Sequence, residues 1–209
     1  MSEIETLREI VKEVDEQLED KDMVRELAMK SSRAIRRISK NVIQDIHRDK
    51  ATETSLKEAQ EEINKLKSII EGHPELHHSG FLRNGFQEYA EAHILLSISE
   101  GEKPKTPEEL DITPSSYVLG LADVVGELRR MILDELTEGD IGRAKELHEK
   151  MEDVKDMIMD FDYPNAIVPI RNKQDTARTL VEKTRGDIAN SVKSEKLTEK
   201  MDELIDELE

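Results

Sequence analysis

The fold class is decided by residues 2–50, a stretch with neither glycine nor proline: SEIETLREIVKEVDEQLEDKDMVRELAMKSSRAIRRISKNVIQDIHRDK. Ser2 followed by Glu5 matches a capping box, a signal with which many helices begin. The apolar residues of its second half recur at the three- and four-residue steps of a buried helical face: Ile35, Ile38, Val42 and Ile46. The stretch therefore predicts one long amphipathic helix.

Further helices are predicted between clusters of glycine and proline. They cover about residues 52–71, 75 or 78 to 99, 114–139 and 140–161, and a sixth carries Ala177, Leu180, Val181 and Ile188. The segment GEKPKTPEELDITP at 101–114 is a loop, because its prolines cannot continue a helix. Residues 194–209 are predicted as a charged terminal helix. With no alternating strand pattern, we expect an all-α fold of six or seven helices in a single domain over residues 1–209.

Composition excludes several classes of protein. The 209 residues contain no cysteine, which rules out disulfides, cysteine-bound zinc and thiol chemistry. No apolar run approaches the roughly 18 residues of a membrane span, and the acidic start does not resemble a signal peptide, so we expect a cytoplasmic protein without a membrane partner. With 31 basic against 48 acidic residues, the net charge of −17 disfavours a nonspecific DNA coat.

A cluster of cations interrupts this acidic composition. Placed at about 100° per residue, five cations fall on the side of the first helix opposite its apolar face: Lys30, Arg33, Arg36, Arg37 and Lys40. One interpretation is a solvated face paired with acids on neighbouring helices. The other is a stripe that follows the phosphates of a nucleic acid.

Two pairs of carboxylates share helix faces. Glu88 and Glu91 are three residues apart, and Asp123 and Glu127 are four apart. Glu88 lies in a packing seam, so it is expected to meet a cation, a hydrogen-bond donor or a metal. Four carboxylates on two helices could hold Mg²⁺, which prefers oxygen ligands. Because acids are so abundant here, such pairs also arise by chance, and spacing alone leaves both interpretations open.

Two longer blocks resemble those of a known family. GFQEYAEA at residues 85–92 is similar to the GxQEYxEA block of the translin/TRAX proteins, and TPSSYVLGLADVVGEL at 113–128 is similar to their TPxxYLLGxADLxGEL block. TEGD at 137–140 fits the turn that follows. The resemblance covers most of residues 20–190, and the two blocks in order make it specific.

The resemblance implies a TRAX-like, nuclease-subunit member of prokaryotic or archaeal type. It implies a translin-like bundle of about seven helices and, for a chain acting alone, a homo-octameric shell with active sites facing its cavity. The four acids match TRAX acids that hold Mg²⁺, with Mn²⁺ as an alternative. In translin the segment matching residues 77–83 contacts nucleic acid, and this chain partly keeps its pattern.

We therefore expect a Mg²⁺-dependent endoribonuclease that cleaves single-stranded RNA inside an oligomeric shell, with single-stranded DNA as a further ligand. The expected catalytic and metal-binding residues are Glu88, Glu91, Asp123 and Glu127. The expected RNA-binding residues are Lys30, Arg33, Arg37, Lys40, His77, His78 and Arg83. Three alternatives remain: a non-catalytic single-strand binder, an all-α nucleotide pyrophosphatase, which also uses helical Glu-x-x-Glu, and a structural adaptor.

Overall fold

The protein is built from helices. A computed structural model describes residues 2–207, except for the side chains of His77 and His78. The helices are α1 (Glu3–Ile46), α2 (Glu53–Ile70), α3 (Gly80–Glu100), α4 (Pro114–Glu138), α5 (Ile141–Met159) and α6 (Arg171–Asp206), with a 3₁₀ helix at Pro74–His78. Over the described residues no helix combines the length and the apolar character that crossing a membrane requires. The predicted all-α fold is confirmed.

Helix starts follow the capping chemistry of the sequence. At α1, the Ser2 hydroxyl accepts a hydrogen bond from the backbone N–H of Glu5, whose carboxylate accepts one from the N–H of Ser2. The Asp140 carboxylate likewise accepts from the N–H of Arg143 at 2.8 Å and starts α5. Helix α4 begins at Pro114, where the missing N–H costs little. These three predicted starts are confirmed.

Two boundaries differ from the prediction. The third helix begins at Gly80 and not at residue 75 or 78, because residues 74–78 form a 3₁₀ helix and Ser79 then adopts an extended backbone. Residues 194–206 continue α6 without a break and are not a separate helix. No glycine or proline follows Gly186, so nothing in the sequence ends α6 near residue 194.

The chain divides into two compact units, and the division falls within α3. The first comprises Met1–Ala92 and Thr106–Ser116. In it α1 packs against α2, and the Ser31 hydroxyl donates to the Glu62 carboxylate at 2.7 Å. The Ser32 hydroxyl donates to the carbonyl of Phe81 at 2.6 Å and so joins α1 to the start of α3.

The second unit comprises His93–Lys105 and Tyr117–Glu209. In it α5 packs against α6 through buried residues of both helices, among them Leu147, Met151 and Val181. The side-chain amide of Gln174 donates to the carbonyls of Ile158 and Phe161 at 2.8 and 2.9 Å. These two bonds tie the first turn of α6 to the C-terminal end of α5 and to the residue two positions beyond it.

Candidate functional site

The cationic face of α1 forms as predicted. Its five members, Lys30, Arg33, Arg36, Arg37 and Lys40, are all exposed. The apolar residues predicted on the opposite side, Ile35, Ile38, Val42 and Ile46, are all buried. The periodicity of 3.6 residues per turn was therefore sufficient to separate the two faces.

Glu88 of α3 lies against this cationic face, within the first unit. Its Oε1 is 3.3 Å from Nε of Arg36 and 3.6 Å from Nζ of Lys40, and its side chain is 19% exposed. Of the three kinds of partner expected for Glu88, a cation, a hydrogen-bond donor or a metal, the structure shows two cations. Arg36 and Lys40 thus fit the first interpretation of the cationic face, because they pair with an acid on a neighbouring helix. Lys30, Arg33 and Arg37 lie on the same exposed face.

Glu91 lies one turn further along α3 and is 6% exposed. Between the two glutamates, the ring of Tyr89 is buried, and its hydroxyl donates to Oε1 of Gln60 on α2 at 2.8 Å. Burial raises the pKa of Tyr89 to about 12, so this hydroxyl keeps its proton at neutral pH. The hydrogen bond fixes the turn of α3 that carries both carboxylates.

Asp123 and Glu127 lie on α4 in the second unit, and both are half-buried. The Asp123 carboxylate forms a short ion pair with the ammonium of Lys173 at the start of α6. A cavity of about 180 Å³ opens beside this pair and is also lined by Gly126 and Thr176. Gly126 has no heavy atom within 4 Å of the position that a Cβ would occupy, so this side of α4 is open.

Arg129, two residues beyond Glu127, joins α4 to α6. Its guanidinium donates to the Thr184 hydroxyl at 2.7 Å and lies 2.8 Å from the Asp187 carboxylate. Arg129 is therefore a structural link between the two helices, with its charge matched by Asp187.

A buried histidine lies at the point where α3 enters the second unit. His93 is 7% exposed, and its pKa is lowered to about 4, mainly by burial and also by the nearby positive charge of Lys105. It is neutral at physiological pH. No sequence pattern distinguishes this histidine from the other five.

The carboxylates offer hard oxygen donors, which suit Mg²⁺ or Mn²⁺. Among the described residues, no group of three or more histidine, aspartate and glutamate side chains stands ready-made to hold a metal. Instead, Glu88 and Asp123 each have a cation as partner. Arg83 is half-buried near the start of α3. The side chains of His77 and His78 are not among those that the structure describes, so their predicted RNA contacts stay a prediction.

Sequence patterns did not identify Lys173. It lies 50 residues from Asp123, and only the packing of α6 beside α4 brings the two charges together. The same holds for Arg129 and Thr184, which are 55 residues apart. No spacing rule within one helix could have found these pairs.

With this geometry established, comparison with known proteins identifies the family. The family model for translin matches residues 5–185. The chain belongs to the Translin family. An uncharacterised protein of Methanocaldococcus jannaschii is 38% identical over 186 residues, which cover 87% of this chain and 82% of that protein. The resemblance carried by the two sequence blocks is thereby confirmed.

Solved structures support the same assignment. A structure of AfC3PO in complex with duplex RNA matches with a TM-score of 0.79 and 32% identity, covering 88% of this chain and 97% of that one. AfC3PO crystallised by itself matches equally well, at 33% identity. Apo-NeC3PO matches with a TM-score of 0.70 at 20% identity, which shows a shared fold. The family and the fold are thus established from sequence and structure independently.

Proposed function

We propose that this chain is a Mg²⁺-dependent endoribonuclease that cleaves single-stranded RNA and also binds single-stranded DNA. In this proposal it works in the cytoplasm as a homo-octamer that forms an oligomeric shell. The proposal is carried by one observation: Glu88 and Glu91 on α3, and Asp123 and Glu127 on α4, are all buried or half-buried, and their carboxylate oxygens are the donors that Mg²⁺ prefers. The similarity to AfC3PO, which has been crystallised with duplex RNA, supports RNA as the ligand.

In this proposal Glu88, Glu91, Asp123 and Glu127 hold the metal directly or through water. A Mg²⁺ ion held by these residues would supply a Lewis acid for a phosphodiester oxygen and would lower the pKa of a bound water. Arg36 and Lys40 lie beside the Glu88 carboxylate, so a metal bound by Glu88 would share it with these two cations. One carboxylate then accepts the proton of the attacking water.

The RNA-binding role falls to the exposed cations of α1. Lys30, Arg33 and Arg37 lie on its open face, and Lys40 lies between that face and Glu88. The proposal also includes Arg83, His77 and His78 as RNA contacts. Contacts of this kind position a strand through its phosphates and carry little base specificity.

The test is cleavage of labelled RNA, both single-stranded and duplex, with and without Mg²⁺. We expect Glu88→Gln and Asp123→Asn each to lower the cleavage rate by about 100-fold or more, the range found when a positioned acid or base is lost. Glu100→Gln and Asp134→Asn are matched controls, because each removes an exposed acid from the same helix, and both are expected to cleave normally. Cleavage by Glu88→Gln and Asp123→Asn at the wild-type rate would refute the enzymatic proposal.

A second candidate is an RNA-binding oligomer without hydrolytic activity. It is favoured by the cations that already accompany Glu88 and Asp123, since such pairs neutralise charge without a metal. This candidate predicts binding that weakens steeply with salt and does not change with Mg²⁺. Binding without cleavage in the wild type, at any Mg²⁺ concentration, would select it.

A further inference from the structure

The first part of α1 extends beyond the packed part of its unit. Residues 2–20 are all exposed, and the buried residues of α1 begin only at Ala28. We call residues 3–19 the α1 arm. At a rise of 1.5 Å per residue it is about 25 Å long. The Asp20 carboxylate lies 3.3 Å from Nε2 of His73, and Lys21 forms an ion pair with Glu75, so these contacts hold the helix where the arm joins the rest of its unit.

The arm carries a continuous apolar stripe. The neighbouring positions of the helix are mostly acidic. The side chains of the stripe are 48–64% exposed, and they are Ile4, Leu7, Ile10, Val11, Val14 and Leu18. Five of them, all but Ile10, alternate steps of three and four residues, which is the a/d pattern of a coiled coil. The capping box and an exposed Lys12–Glu16 pair support the helix only weakly. A helix of this length is marginal in water unless its apolar face is covered.

We propose that a second copy of this chain covers the stripe, and that the two arms pair as an antiparallel coiled coil with Val11 of one copy opposite Val14 of the other. In that register Leu7 lies opposite Leu18 of the second copy. Two-fold symmetry repeats each contact, so one surface serves both copies. The proposal is independent of the nuclease function.

Charge decides between the two directions. The a/d pattern continues into Lys21 and Arg25, so a parallel pair would place each of these cations opposite its own copy. In the antiparallel register those like charges are far apart, and Arg8 instead lies beside Asp15 of the second copy, twice by symmetry. A parallel pair would also place Arg8 beside Glu3 of the second copy, so the antiparallel direction is favoured because it separates Lys21 and Arg25 from their counterparts in the second copy.

Charge also argues against an anionic occupant such as RNA. The arm has seven acidic residues against two basic ones, so a polyanion would be repelled. The same net charge makes two arms repel at long range. We therefore expect pairing to strengthen between low and physiological salt, because ions screen the general repulsion more than the close Arg8–Asp15 contacts.

The absence of cysteine allows a direct cross-linking test of the register. Leu7→Cys and Leu18→Cys are prepared separately, and each is oxidised alone and as an equal mixture. Both positions are exposed, so the variants are expected to fold. In the antiparallel register the two Leu7 positions are about 16 Å apart along the axis, beyond disulfide reach, so the mixture should give about tenfold more cross-linked dimer than either variant alone. A mixture of Glu9→Cys and Glu16→Cys, on the outer face of the arm, is the control.

Each other outcome overturns the proposal in a distinct way. Strong cross-linking of Leu7→Cys alone would show a parallel pair. An intrachain disulfide in Leu7→Cys/Met201→Cys would show that the exposed apolar end of α6 is the occupant. Cross-linking no greater than in the Glu9/Glu16 control would show that no second copy covers the stripe.

Discussion

Replacing Gly85 by alanine tests how closely α1 and α3 approach each other. A Cβ at this position would lie 2.6 Å from the hydroxyl oxygen and 3.1 Å from the carbonyl oxygen of Ser32. The hydroxyl is fixed, because it donates to the carbonyl of Phe81 at 2.6 Å. The substitution must therefore displace Ser32 or push the helices apart.

The expected magnitude combines three effects. Alanine is favoured over glycine in a helix interior by about 1 kcal/mol. Overpacking a tight contact costs about 1–3 kcal/mol, and loss of the Ser32–Phe81 hydrogen bond costs about 1 kcal/mol. We expect Gly85→Ala to lower the free energy of unfolding by about 1–3 kcal/mol.

Gly126→Ala is the matched control. It makes the same change within a helix, but no atom lies within 4 Å of the added Cβ. It should raise the free energy of unfolding by about 0.5–1 kcal/mol, since only the helix preference changes. Urea unfolding followed by circular dichroism at equal protein concentration measures both. If Gly85→Ala stabilises the protein as Gly126→Ala does, the close approach of α1 and α3 is wrong.

The remaining predictions concern three charged or titratable groups. The folded-state pKa of His93, about 4, lies below the unfolded value near 6.5, so the unfolded chain binds more protons between these values and stability falls as the pH decreases through that window. Urea unfolding measures this effect: between pH 6.5 and 4, the free energy of unfolding of His93→Gln should fall by about 1–3 kcal/mol less than that of the wild type. Arg129→Met should lower the free energy of unfolding by about 1–3 kcal/mol, because it removes the charged donor to Thr184. Lys173→Met should bind Mn²⁺ about three- to tenfold more tightly in paramagnetic resonance titrations, because it frees the Asp123 carboxylate from its cation.

Each of these three predictions has a control or an outcome that would contradict it. For His93, a loss of stability between pH 6.5 and 4 that is the same in His93→Gln as in the wild type would contradict the prediction. Arg130→Met, on the exposed side of α4, should leave stability within about 0.5 kcal/mol. An unchanged Mn²⁺ affinity in Lys173→Met, with Lys183→Met as reference, would show that Lys173 does not compete for Asp123.

Much of the site could be predicted from local sequence. The 3.6-residue period separated the cations of α1 from Ile35 and Val42, because both faces belong to one helix. The predicted packing seam of the third helix placed Glu88 at a helix contact, where a carboxylate must find a partner. The spacing could not say which partner, and the structure supplies Arg36 and Lys40.

The amino-acid sequence by itself determined the all-α class, the helix starts at Ser2, Pro114 and Asp140, and membership of the family, because each depends on residues close together in the chain. Only the tertiary structure decided that Lys173 meets Asp123, since that contact depends on how α6 packs beside α4. It also decided that the apolar stripe beginning at Ile4 is exposed. The spacing of apolar residues along a helix is the same whether that face is buried within its own unit or left exposed, so the sequence could not distinguish the two cases.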